Sequence, residues 1–201
     1  MYNTVIFDFG LVLVDFYAEN MSYPFLPDDV DKKAISDILF DRLYWDELDE
    51  GTLSEKEVAE LACGRVEPRL HSAVREILDN WYRHLPFIEG MRELVLELKA
   101  KGTKLYLLSN ISTTFADNYH TVPELAELFS HFDGLVFSGK VHITKPNKEI
   151  FEHLINKYEV DKNSCVFIDD SQRNIDGALR AGIDAYLFDR DVEKLRKYLL
   201  K

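Results

Sequence analysis

Three apolar runs in this chain stop at residues able to do phosphate or metal chemistry. They are Val5-Ile6-Phe7-Asp8, Leu107-Leu108-Ser109-Asn110 and Phe167-Ile168-Asp169-Asp170, and a fourth segment, Thr144-Lys145-Pro146, adds a cation. An aspartate near its reference pKa of about 3.9 is ionised at neutral pH, so Asp8 can ligate a hard cation or attack phosphorus. Asp169 and Asp170, side by side, repel unless a cation or hydrogen bonds compensate. Magnesium is usually held by one or two carboxylates plus waters and substrate phosphate, and Asp8 and Asp170 supply that pair if their strands are neighbours. Ser109 and Asn110 offer a hydroxyl and adjacent backbone N–H groups to phosphoryl oxygens. The Lys145 cation would offset charge on the phosphoryl group and the attacking aspartate. Asn174, a turn beyond Asp170, could hold a metal-bound water. Singly, each has a plainer reading: Asp8 or Asp170-Ser171 as a helix cap, Ser109-Asn110 as turn chemistry, Lys145 as a solvated lysine, Asn174 as an exposed helix residue.

An apolar run that ends in a polar residue is how a buried parallel strand reads when its carboxyl end opens into a site. Residues 3–7, 104–108, 134–137, 164–168 and 184–188 read as such strands. Helical stripes lie between the later ones: Met91, Leu94, Val95, Leu98 before Gly102; Leu125, Leu128, Phe129 after Pro123; Ile150, Phe151, Leu154, Ile155 after a helix-start Pro146; Ile175, Ala178, Leu179 before Gly182; and Val192, Leu195, Tyr198, Leu199 within 191–200. Strand alternating with helix predicts an α/β fold with a parallel sheet and right-handed crossovers. In such sheets ligands sit beyond the carboxyl ends of the strands, which is where Asp8, Ser109 and Asp169-Asp170 would converge.

The stretch between the first two strands is longer than one crossover needs. It carries its own stripes, Ile35, Ile38, Leu39, Leu43 and Val74, Ile77, Leu78, Trp81, the second ended by Pro86. Ser54-Glu55-Lys56-Glu57 is a capping box before Val58 and Leu61, and Asp49-Glu50-Gly51-Thr52 reads as a turn between helices. The division expected is a core from residues 1–15 and 87–201, with residues 16–86 a helical insertion that emerges just after Asp8 and is placed to cover the strand ends.

The chain has 201 residues, 46% of them hydrophobic, enough to bury a substantial core. With 24 basic and 36 acidic residues the net charge is −12, which argues against a nucleic-acid or anionic-membrane binder. A small phosphorylated partner is compatible, because a metal and a lysine reverse the field inside one cleft. Cys63 and Cys165 suggest no disulfide framework, and Cys165 reads as core packing. The start, Met1-Tyr2-Asn3-Thr4, has no basic segment or cleavage pattern, and no run reaches transmembrane length. A cytoplasmic location is the default expectation. Nothing in the sequence specifies an oligomeric state.

The order Asp, Ser-Asn, Lys-Pro, Asp-Asp resembles the haloacid dehalogenase superfamily of hydrolases. Phe7-Asp8-Phe9-Gly10 is similar to its first motif, Leu108-Ser109-Asn110 to its second, Lys145-Pro146 to its third, and Ile168-Asp169-Asp170-Ser171 with Asn174 to its fourth. The resemblance covers the whole chain and implies a Rossmann-like catalytic core of sheet order 3-2-1-4-5, formed by residues 1–15 and 87–201, with residues 16–86 a helical cap domain after strand 1. It implies Asp8 as nucleophile, magnesium held by Asp8, the Gly10 carbonyl and Asp170, and Asp169 and Asn174 in supporting positions. The pattern is most similar to bacterial sugar-phosphate phosphatases of the glucose-1-phosphate phosphatase type. It implies hydrolysis of a small phosphorylated metabolite through an aspartyl-phosphate.

One position departs from most phosphatases of that superfamily, which carry an acid-base aspartate two residues after the nucleophile. Gly10 stands there, as it does in the glucose-1-phosphate phosphatase-like group, and Asp15 is a conceivable substitute. Two other readings stay open. A metal-free 2-haloacid dehalogenase would also use Asp8, although Asp169-Asp170 is a liability without a cation. A catalytically silent binding domain suits Gly10 but not the retained Asp8, Lys145 and Asp170. A response-regulator receiver has its acidic pair first and its lysine last, unlike this chain. Phe16, Tyr17, Tyr44 and Trp45 are the aromatic candidates for substrate selection.

Overall fold

The computed structural model describes residues 2–40 and 43–200; positions 1, 41, 42 and 201, which the expected domain bounds include, lie outside the described residues. Five parallel strands, β1 (Thr4–Phe7), β2 (Lys104–Ser109), β3 (Gly134–Phe137), β4 (Cys165–Asp169) and β5 (Asp184–Leu187), form one sheet in the order β3-β2-β1-β4-β5. That is the order the resemblance implies. Phe7 is level with Leu107 on one side and Ile168 on the other. Asp8, one residue on, therefore emerges between the ends of β2 and β4, and its N–H donates to the Ile168 carbonyl at 2.9 Å.

Among the described residues, five α-helices follow β1 before the chain returns to the core: α1 (Ala18–Ser22), α2 (Asp29–Leu39), α3 (Trp45–Glu50), α4 (Glu55–Cys63) and α5 (His71–Asn80). Then come α6 (Met91–Ala100), α7 (Thr113–Asn118), α8 (Pro123–Phe129), α9 (Ser138–Val141), α10 (Lys148–Tyr158), α11 (Gln172–Arg180) and α12 (Val192–Leu199). The chain leaves β1 and returns to α6 through one antiparallel crossing. Val14 bridges Phe87, the Asp15 N–H donates to Pro86 O at 2.7 Å, and the Ile88 N–H donates to Leu13 O at 3.0 Å.

Strand side chains alternate between two cores. Val5 and Phe7 join a larger cluster with Phe9, Leu107, Phe115 and Phe129, which continues without a break into Trp81, Ile77, Ile35 and Leu39 of the helical stretch. Ile6, Tyr106, Leu108 and Phe167 face a smaller cluster with Phe151, Leu154, Ile175 and Ala178. The two faces are therefore unequal, and the larger core is shared with the helices inserted after β1.

The apolar stripes of α5, α6, α8 and α10 are buried as their periodicity predicts. The capping box at Ser54 forms, with Glu57 returning to the Ser54 N–H at 2.9 Å. Four readings need correction. Leu43 is exposed, because α2 ends at Leu39 and the stripe does not continue past it. Leu61 and Leu179 are exposed, because the buried faces of α4 and α11 centre on Ala59 and Ala62, and on Gly177 and Ala178, about a third of a turn or more away. Pro146 is not a helix-start residue: α10 begins at Lys148, and Pro146 lies in the preceding loop.

Candidate active site

Each strand end delivers its polar residue to one spot. The carboxylate oxygens of Asp8, Asp169 and Asp170 approach within 4.8 Å of one another. The Lys145 ammonium sits between two of them, 2.6 Å from Asp8 Oδ1 and 2.7 Å from Asp169 Oδ2. It is 4% exposed, and Asp169 is fully buried. Asp169 has both oxygens occupied: the Ser171 N–H donates to Oδ1 at 2.8 Å, and Asn174 Nδ2 reaches both oxygens at 3.0 and 3.1 Å. Its task is to hold Lys145 and the start of α11. Asn174 is thus bound to Asp169 rather than offered to a water.

Burial, reinforced by the Asp169 charge, pushes the Asp8 carboxyl up to about 8 against the pull of Lys145. Burial and the same neighbour also raise Asp170. Burial alone would lower the Lys145 ammonium, but the charges of Asp169 and Asp8 hold it above its usual range. Fully ionised, three carboxylates and one ammonium carry a net charge of −2. A divalent cation balances that charge, and hard carboxylate oxygens are the donors magnesium takes. The donor set therefore fits magnesium, with Asp8 and Asp170 the carboxylates that open into the cavity.

That cavity, about 580 Å³, is lined on the core side by Asp8, Gly10, Ser109, Asn110, Lys145, Asp170 and Asn174. Of the site residues that the four motifs contribute, Asp169 alone does not face it. The Ser109 hydroxyl has only a 3.5 Å contact to Asn110 O, too long for a firm hydrogen bond, so it is available to a ligand. The Asn110 amide is engaged: Oδ1 accepts from the Lys145 N–H at 2.7 Å and Nδ2 donates to Lys145 O at 3.0 Å. Gly10 is pressed by Phe16, whose ring and Cβ stand 3.2–3.4 Å from where a Cβ on Gly10 would lie. Phe16 in turn packs against Trp81 and Trp45 at 5.4 and 6.2 Å between ring centres.

The inserted helices close the other side. Phe16, Trp45, Asp46, Asp49 and Glu50 line the cavity there. Of the four aromatic candidates, Phe16 and Trp45 reach it; Tyr17 stacks with Arg190, and Tyr44 with Arg65. Asp15 is turned away and pairs with Arg190 at 2.6 Å, so it does not stand in for the missing acid. The end of α3 is fastened to the core by Ser138, whose fully buried hydroxyl accepts from the Ile111 N–H at 2.9 Å and donates to Asp49 O. His142 adds a 2.9 Å bond to Glu50 O. Ser138 and the acidic face of α3 were not singled out from sequence. The one available signal was the run Asp46–Glu50, which reads equally well as a solvated turn.

A family model of haloacid dehalogenase-like hydrolases matches residues 2–182. D-ribitol-5-phosphate phosphatase of Bacteroides thetaiotaomicron is 28% identical over 206 residues, covering 92% of this chain and 91% of its own. Sesquiterpene phosphatase astK of Aspergillus oryzae is 29% identical over 93 residues, 46% of this chain and 46% of its own, so the match spans about half of that fungal relative. Among solved structures, a haloacid dehalogenase-family enzyme of B. thetaiotaomicron in complex with magnesium and inorganic phosphate superposes with a TM-score of 0.71 at 19% identity, over 95% of this chain and 96% of that one.

Proposed function

The chain belongs to the haloacid dehalogenase-like hydrolases, and we propose that it is a magnesium-dependent phosphatase of a small phosphorylated metabolite, a sugar or polyol phosphate foremost. One observation carries this reading: a buried carboxylate, Asp8, faces a cavity together with Lys145 and Asp170, and with Asp169 behind the lysine the charge of the cluster calls for a divalent cation. The relative that hydrolyses D-ribitol 5-phosphate, aligned over nearly the whole chain, supports the substrate class. The neighbour that holds magnesium and phosphate supports the cofactor. The two buried thiols suit a reducing, cytoplasmic setting.

In this reading an Asp8 carboxylate oxygen attacks phosphorus. The bond from phosphorus to the leaving oxygen breaks, and its electron pair departs with that oxygen. Asp8 then carries the phosphoryl group as an aspartyl-phosphate. Water attacks the same phosphorus, the bond to Asp8 breaks, and phosphate and the free carboxylate result. Lys145 favours the ionised form of Asp8 against its burial and offsets charge on the phosphoryl oxygens; Ser109 donates its hydroxyl to one of them. Asp8, the Gly10 carbonyl and Asp170 would hold magnesium, which when bound supplies further neutralisation of the phosphoryl oxygens. No side chain at Gly10 protonates the leaving oxygen, so its proton comes from water. Residues 16–86 act as the cap that screens the cavity and selects the leaving group.

A haloacid dehalogenase would share Asp8, but the Asp169–Asp170 pair beside it favours the cation-dependent reading. The test is a screen of phosphorylated metabolites with and without magnesium. Turnover should require magnesium, stop with chelator and vanish in Asp8→Asn. Full turnover in chelator or in that variant overturns the mechanism.

A further inference from the structure

Lys145 is the cation that touches Asp8 and Asp169, yet it stands on no regular element. It lies in the loop between α9 and α10, four residues past Val141 and three before Lys148. A side chain with four rotatable bonds reaches two carboxylates at 2.6 and 2.7 Å reproducibly only if its backbone is fixed. Two contacts fix it. On one side α11 comes close to Pro146, allowed by Gly177, where a Cβ would stand 2.6 Å from Pro146 O. On the other, Asn110 grips the Lys145 peptide itself. Oδ1 takes its N–H and Nδ2 gives to its carbonyl, which is the donor–acceptor pattern one strand shows another, made by a side chain 35 residues away.

We propose, granting the phosphatase reading, that Asn110 is a positioning residue for Lys145 and not a phosphate ligand: its amide sets the Lys145 peptide so that the ammonium lands between Asp8 and Asp169. The side chain acts at the end of β2, next to Ser109. The loop that carries the cation is thus indexed to the strand that carries the phosphate-binding hydroxyl. One N–H of the amide remains. If that N–H bound phosphate, loss of Asn110 would weaken binding irrespective of Lys145; if the clamp is its role, the loss is felt only through Lys145.

A double-mutant cycle separates the two. Asn110→Ala, Lys145→Met and the double variant are compared in turnover of an aryl phosphate, in affinity for inorganic phosphate with magnesium, and in urea unfolding. Displacing a supporting group by a fraction of an ångström to an ångström costs about 10–100-fold, so Asn110→Ala should lower kcat by about that factor, with KM little changed. In the Lys145→Met background the same change should cost less than about threefold in turnover and in phosphate affinity, and the unfolding midpoints should be sub-additive. Asn110→Asp keeps the acceptor of the Lys145 N–H and should fall between wild type and Ala; it serves the same cycle if Asn110→Ala does not fold. A full additional loss of phosphate affinity in the Lys145→Met background, or additive unfolding midpoints, overturns the clamp. Absence of wild-type turnover on any phosphate ester would strike the phosphatase reading instead, and the unfolding cycle would still decide the clamp.

Discussion

Replacing Lys145 by methionine tests the charge balance of the site directly. In the folded protein the ammonium contacts Asp8 and Asp169, and both it and Asp169 are shut off from solvent. Without it, a buried carboxylate loses its counter-charge and must take up a proton. An aspartate with a reference pKa of about 3.9 sits about three units below neutral pH, and at 1.36 kcal/mol per unit that protonation costs about 4 kcal/mol. The figure agrees with the 3–5 kcal/mol typical of breaking a buried pair. For a chain of this size, about 2–4 °C per kcal/mol gives a fall in Tm of about 8–16 °C at pH 7.5 in chelator. The sign with pH follows from the proton the variant must bind on folding: a site that takes up a proton on folding is favoured in acid, and that advantage is lost as pH rises. The gap between variant and wild type should therefore be smallest near pH 4.5 and widest at neutral pH. Thermal unfolding by circular dichroism at several pH values reads it. A gap of the same size at every pH, or no gap at pH 7.5, refutes the reasoning.

Four further outcomes follow. Because Asp8 is pushed up to about 8 and Asp170 upward too, protons compete with magnesium for both; raising magnesium should move the acid limb of kcat/KM to lower pH, and a limb fixed across a hundredfold change in magnesium would contradict this. With no carboxylate at Gly10, kcat should rise with the acidity of the leaving group, so sugar 1-phosphates and aryl phosphates should outpace 6-phosphates; a flat dependence with chemistry rate-limiting would mean another group donates the proton. Gly10→Ala puts a methyl 3.2 Å from the Phe16 ring, an overpacking cost of about 1–3 kcal/mol seen in urea unfolding, and Gly10→Asp should cost more. Trp81→Ala removes the ring that joins Phe16 to Phe115, and should cost about 3–5 kcal/mol in one cooperative transition, since the larger core is continuous; two separated transitions would show that it is not.

The strands and the site they carry were legible because each fact is local. A run such as Val166-Phe167-Ile168 buries both faces, and the acid that ends it marks the mouth of the sheet. Helix ends at Ser54, Pro123, Gly102 and Gly182 were legible for the same reason: cap, fixed φ or positive φ is written in one residue. What stayed hidden depends on where a side chain points across the fold. Ser-Asn after a strand reads as phosphate chemistry, and only the folded loop shows the Asn110 amide spent on Lys145. Asp15 looked available until Arg190, from the far end of the chain, was brought to it. Ser138 has no pattern at all, because its partners lie in two other segments and one is a backbone carbonyl.

The position of β1 also bears on how the protein is made. Its two neighbours in the sheet are β2 and β4, so β1, which leads into Asp8, is synthesised ahead of both and gains its second partner only when residues 165–169 follow. Until then a strand that the finished fold buries has one edge without its mate. Such long-range parallel pairing is slow and leaves sticky intermediates. Closing the middle of the sheet is the same event that brings Asp8 to Asp169 and Asp170, so the pairing that covers the open edge of β1 also assembles the acidic cluster.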